Sequence, residues 1–181
     1  MKQSIYHTKD GTNSQLVNGK NSFVNINNIN TAIELIIDEV NPDTNGLVVF
    51  EDVKLNNLYE ILNSYGVAFD DNLPLVMTKN HVYLDVRESG ILKGNYHNVG
   101  INNFIDAIYK INEPIIVFQD KNSFVVVVNV VDHHNNTIII PIRIKENIHN
   151  STIEANIILS IYGKKGFTSF IKNKLLIYEK K

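Results

Sequence analysis

The chain has 181 residues, 44% of them hydrophobic, and a formal net charge of −2, which fits one domain, or a domain with an N-terminal elaboration, around a core of useful size. It has no cysteine, which excludes disulfides and thiolate metal sites and permits a reducing cytosol. The opening residues, MKQSIYHTKDG, carry no apolar stretch of the signal-peptide kind, and no apolar run reaches the roughly 20 residues of a membrane span, so the expectation is a cytoplasmic protein with no membrane partner.

Residues 1–22 are polar and aperiodic, with Asn18-Gly19 as a weak hairpin signal. A helix is expected over 31–40, with Ile33, Ile36, Ile37 and Val40 on one face and Pro42 just beyond. A short strand follows over 47–50. A second helix spans 55–65, with Leu55, Leu58, Tyr59 and Leu62 in register and Gly66 at its C′ position. Residues 75–78 and 81–86 read as two strands. In the second, Val82, Leu84 and Val86 face one way, and His81, Tyr83 and Asp85 the other. Residues 88–100 are rich in Gly and Asn and form a linker or a functional loop.

An amphipathic helix is predicted over 102–111, with Phe104, Ile105 and Ile108 inward. Strands follow over 115–119, 123–131 and 137–145. Their continuous β-branched runs imply burial on both faces for part of their length, and Pro141 points to an edge or a bulge. A strand over 152–162, a short helix over 167–172 and a last strand over 175–178 complete the order. The expected fold is α+β: helices with a mostly antiparallel sheet of about four to five strands in residues 91–181, plus a smaller α/β N-terminal elaboration in residues 1–90.

Charge is unevenly spread. Residues 1–100 carry seven Lys and Arg against twelve Asp and Glu, a balance of −5, and residues 101–181 carry ten against seven, a balance of +3. The stretch 155–181 holds six Lys and one Glu, which suits a phosphate-bearing partner or a solvated tail. Arg is confined to Arg87 and Arg143, which leaves little for bidentate phosphate recognition. The 27 Asn and 26 Ile have A/T-rich codons, so a low-GC genome accounts for them without any functional cause.

Few residues invite chemistry. His133-His134 sits in an Asn-rich turn with no third ligand at metal spacing, so no metal and no cofactor are expected. His97, between the Gly-rich loop and a helix, can titrate near neutral pH in a cleft, or simply hydrogen-bond its own loop. Ser160, Tyr162 and Lys164 alternate along a strand end and should project to one side. A hydroxyl, a phenol and an ammonium together can hold a phosphate, or can be polar groups facing water.

The run Asn156-Ile-Ile-Leu-Ser160-Ile-Tyr-Gly-Lys164, with Phe167, Phe170 and Leu175-Leu-Ile-Tyr178 after it, resembles the C-terminal domain of phage MuF-type proteins. Glu113-Pro-Ile-Ile-Val-Phe118, Ser123-Phe-Val-Val-Val-Val128 and Thr137-Ile-Ile-Ile-Pro-Ile142 match in style, so the resemblance covers about residues 91–181. That domain is similar to the barnase–EndoU–colicin E5/D–RelE-like group of toxin nucleases. The resemblance implies metal-independent cleavage of RNA, tRNA among the candidates, with an immunity protein as a further partner. It implies His97 as base or acid, Ser160 and Tyr162 orienting the phosphate, Lys164 neutralising charge, and Ser123 and Lys165 as substrate-binding helpers. The acidic first half supports a different role, a non-catalytic phage or mobile-element protein that binds and inhibits a host protein through that surface. A structural piece of a phage particle is a third.

Overall fold

The computed structural model describes residues 46–148 and 154–181, together with the backbone of 16–17, 20–21 and 23–25 and the positions Ile33 and Ile37. Ile33 and Ile37 are helical and buried, and the rest of the helix predicted over 31–40 lies outside the described residues. β1 (Leu16–Val17) and β2 (Lys20–Asn21) pair antiparallel, where Asn18-Gly19 predicts a hairpin.

The elements that follow are β3 (Phe23–Asn25), β4 (Leu47–Val49), α1 (Asn56–Ser64), β5 (Leu75–Thr78) and α2 (Lys79–Val86). Then come α3 (Ile101–Lys110), β6 (Ile116–Asp120), β7 (Ser123–Val131) and β8 (Thr137–Asn147). β9 (Glu154–Ile158), β10 (Tyr162–Gly163), α4 (Phe167–Ile171) and β11 (Leu176–Glu179) complete the order. The class is α+β, but the sheet is larger than the four to five strands expected. It runs β11-β6-β7-β8-β9-β5-β4-β3, with β10 also on β8. β3/β4 and β5/β9 are parallel, and the other pairs are antiparallel. The β5–β9 pairing brings strands from residues 46–90 into the same sheet as the later ones.

Alternation divides the two faces. Val126, Val128, Ile138, Ile140 and Ile142 pack with Phe104 and Ile108 of α3 and with Leu58 and Leu62 of α1. Val125, Val127 and Ile139 face the other way, under Phe167, Phe170 and Ile171 around α4. β7 and β8 are thus buried on both faces over part of their length, Val125–Val128 and Ile138–Ile140, as their continuous β-branched runs predict. α1 ends in a Schellman motif: the Val67 amide reaches the Leu62 carbonyl at 2.9 Å and the Gly66 amide the Asn63 carbonyl at 3.0 Å, with Gly66 at φ 79°.

Two local expectations are corrected. Residues 81–86 form α2, not a strand. Thr78 caps this helix, its Oγ accepting from the His81 amide at 3.2 Å. Val82 through Val86 are all buried, Asp85 among them, so the helix shows no alternation of buried and exposed turns and leaves no 3.6-residue signature. The strand expected over 152–162 is interrupted between β9 and β10.

Pro141 explains the interruption. It lies in β8, within the sheet rather than at its edge, and its carbonyl accepts from the Leu159 amide at 2.9 Å. In an antiparallel pair a residue's N–H and C=O point to the same neighbour, so the missing Pro141 N–H faces this strand. Pairing shifts there. Ile158 pairs with Ile142 and Tyr162 with Ile139, four steps against three, which is one extra residue. The extra residue reverses side-chain parity, turning Tyr162 away from the face that holds Ile158.

Asn156, fully buried, anchors the β9 end through its side-chain amide to the carbonyls of Asp70 at 2.9 Å and Leu73 at 3.4 Å. Asn156→Ala should lower unfolding free energy by about 2 kcal/mol, because buried carbonyls lose their donor, and urea denaturation measures this.

Candidate functional site

The pairing of β5 with β9 ends at Met77 and Ile158. Residues 159–161 therefore have no strand neighbour on that side, and α2 supplies side chains in its place. His81 and Asp85, four apart, share a helix face. His81 Nδ1 meets the Leu159 carbonyl. Asp85 Oδ2 accepts from the Ile161 amide at 2.6 Å, and Ser160 Oγ donates to both carboxyl oxygens at 3.1 Å.

The same helix positions His97. Its last carbonyls have no intrahelical donors. The amides of His97, Val99 and Gly100 take those of Leu84, Asp85 and Val86 at 2.9, 2.9 and 3.0 Å, and Asn98 takes that of Arg87 at 3.0 Å. The His97 ring then stacks on Tyr162, with centroids 5.0 Å apart and an interplanar angle of 26°. His97 Nε2 lies 3.7 Å from Asp85 Oδ1. A cleft of about 290 Å³ results, lined by His81, Leu84, Asp85, Asn95, His97, Ser160 and Tyr162.

The protonation states are inverted from the ordinary. Asp85 is 2% exposed, and burial pushes its carboxyl up to about 8, against the opposing pull of the Ile161 and Ser160 hydrogen bonds. Burial, and then the charge of His81, lowers His97 below the usual imidazole value. At neutral pH the cleft therefore holds an un-ionised acid beside a neutral imidazole. Tyr162 is raised by burial, and then by Asp120 and Asp85, so its phenol keeps its proton.

Of the residues expected to act together, His97, Ser160 and Tyr162 share the cleft. The others do not line it. Lys164 Nζ lies 4.4 Å from the Phe170 ring centroid, on the face of α4. Ser123 Oγ donates to the Asp120 carbonyl at 3.0 Å in the β6–β7 turn, and Lys165 is exposed. Tyr162 and Lys164 lie beyond the extra residue and both reach the α4 face, whereas Ser160 lies within the break and turns to Asp85, so the three do not project together as one regular strand end. No Lys or Arg among the described residues lines the cleft. Among the described residues no group of three or more His, Cys, Asp or Glu could hold a metal ion. His133 instead lies against Gly100, at the N-terminus of α3.

Gly163 completes the Ser-Ile-Tyr-Gly-Lys element for a steric reason. A Cβ there would collide with the Asp132 carboxylate. Asp132 is held below its ordinary value, although burial opposes this, by hydrogen bonds from the Asn136 side chain and from the amides of Asn136 and His134.

The family model of the phage MuF-C-terminal domain matches residues 91–181. The chain belongs to this family. Comparison with curated proteins and with solved structures gave no match. The MuF-C region contains Asn95, His97, Ser160 and Tyr162, whereas His81, Leu84 and Asp85 come from α2, upstream of it. No helix among the described residues is long and apolar enough to cross a membrane.

Asp85→Ala should cost about 2 kcal/mol at neutral pH by leaving the Ile161 amide unpaired, and Asp85→Asn should cost much less. Asp85 keeps its proton in the folded state up to about pH 8 but loses it near 3.8 when unfolded. Its stabilising contribution is thus full below that lower value and lost as pH rises through about 8. Urea midpoints measured from pH 5 to 9 should fall across this window in the wild type and fall less in Asp85→Asn.

Proposed function

We propose that the chain is a metal-independent ribonuclease-like toxin or phage-encoded effector, in the wider group that includes barnase and EndoU. It would act in the cytoplasm of the producing or target bacterial cell. The observation that carries this reading is the convergence of His97, Ser160 and Tyr162 around an un-ionised, buried Asp85. Residues 91–181 would be the nuclease-like domain, and residues 1–90 an N-terminal α/β region that contributes Asp85.

In this chemistry the ribose 2′-oxygen attacks its own phosphorus, the P–O2′ bond forms and the P–O5′ bond breaks. The products are a 2′,3′-cyclic phosphate and a 5′-hydroxyl. His97, neutral at working pH, takes the 2′-hydroxyl proton. Tyr162 donates its O–H to the phosphate oxygens, where charge develops, and Ser160 can do the same once un-ionised Asp85 donates its own proton to Ser160 Oγ. Asp85 preserves the basic form of His97 by staying un-ionised. An ionised carboxylate 3.7 Å away would hold a proton on the imidazole.

Purified wild type should cleave total RNA or tRNA in EDTA. His97→Ala should lose about a hundredfold or more, and Ser160→Ala about tenfold. Intact RNA with wild type, or equal cleavage by the variants, contradicts the assignment. The rate should fall at acid pH as His97 protonates and fall again above about pH 8 as Asp85 ionises. Asp85→Asn should shift the alkaline fall.

A further inference from the structure

With Lys164 packed on Phe170, no Lys or Arg among the described residues lines the cleft to protonate or neutralise the departing oxygen. Buried Asp85 has its oxygens engaged by Ile161 and Ser160. Tyr162 is held in its protonated form against the His97 ring, and the second imidazole that lines the cleft is His81, which is exposed. Its chemistry is set by one contact. A carbonyl oxygen only accepts, so the ring nitrogen that meets Leu159 must carry a proton. That assigns the Nδ1–H tautomer in the neutral form. Nε2 is then the nitrogen that gains or releases a proton toward the cleft.

We propose that His81 is the general acid paired with His97, its Nδ1–H fixed on the Leu159 carbonyl and its Nε2–H donated to the leaving 5′-oxygen. The assignment rests on the RNA-cleavage reading above. The proton count balances: the His97 imidazole gains the 2′-hydroxyl proton as His81 Nε2 loses one to O5′, and solvent exchange restores both. Their mutual repulsion supports the division, because charge on His81 keeps a proton off His97. His81 lies upstream of the MuF-C match, on α2, so that region alone would lack its acid.

The test uses the full chain and two substrates: RNA, and uridine 3′-(4-nitrophenyl phosphate), whose leaving group departs without protonation. In His81→Asn the side-chain amide can replace Nδ1–H as donor to Leu159, so the urea midpoint should stay that of wild type. This variant should lose about a hundredfold or more on RNA and keep most of its activity on the nitrophenyl ester. His97→Gln should lose both activities. His134→Asn, on the exposed β7–β8 turn, should lose neither. Wild-type rates on RNA in His81→Asn, or equal losses on both substrates, would overturn the assignment while leaving the ribonuclease reading intact. A wild type inactive on both substrates overturns the ribonuclease reading and this assignment together.

Discussion

The Asp85 carboxyl takes the Ile161 amide where a strand should have taken it, and much of the site follows from that bond. Pro141 removes a donor from β8, an extra residue shifts the pairing opposite it, and the pairing of β5 with β9 ends at Met77. Residues 159–161 are then an open strand edge inside the protein, and an unpaired buried amide costs free energy. α2 fills that edge with His81 and Asp85, and its own free carbonyls draw in residues 97–100. The imidazole, the hydroxyl and the phenol are neighbours because backbone groups needed partners.

Burial gives the arrangement its chemical character. An exposed carboxyl beside a histidine would be ionised and would hold the imidazole as a cation. Asp85 is 2% exposed, and the cost of desolvating its charge outweighs two hydrogen bonds that favour ionisation. Such buried titratable groups in a cleft are characteristic of working sites, though structural networks shift them too. The cations sit elsewhere: Lys164 and Lys174 lie against Phe170, and Lys174 also reaches Asp120 at 3.2 Å.

Much of the later half was legible in the sequence because its patterns are local. Phe104, Ile105 and Ile108 have helical spacing, and all three are buried on α3. The runs through Val125–Val128 and Ile138–Ile140 had to be strands covered on both faces. His97, Ser160 and Tyr162 were legible as candidates, and they do meet. Asp85 and His81 were missed because strict alternation from His81 to Val86 imitates a half-buried strand. The decisive competing signal was the Thr78 cap. Lys164 keeps its parity with Tyr162 but lies over Phe170 of α4, a contact that strand counting does not reveal, and Pro141 was the clue that the strand is broken at Ser160.

The central claim is that Asp85, un-ionised at the strand break, organises the cleft. A ¹³C NMR titration of its side-chain carboxyl carbon in the full-length protein tests it directly. The account predicts a midpoint near 8, with the His97 imidazole resonances moving in the same step. A midpoint at the ordinary carboxylate value of about 4, with His97 unmoved at alkaline pH, would contradict it.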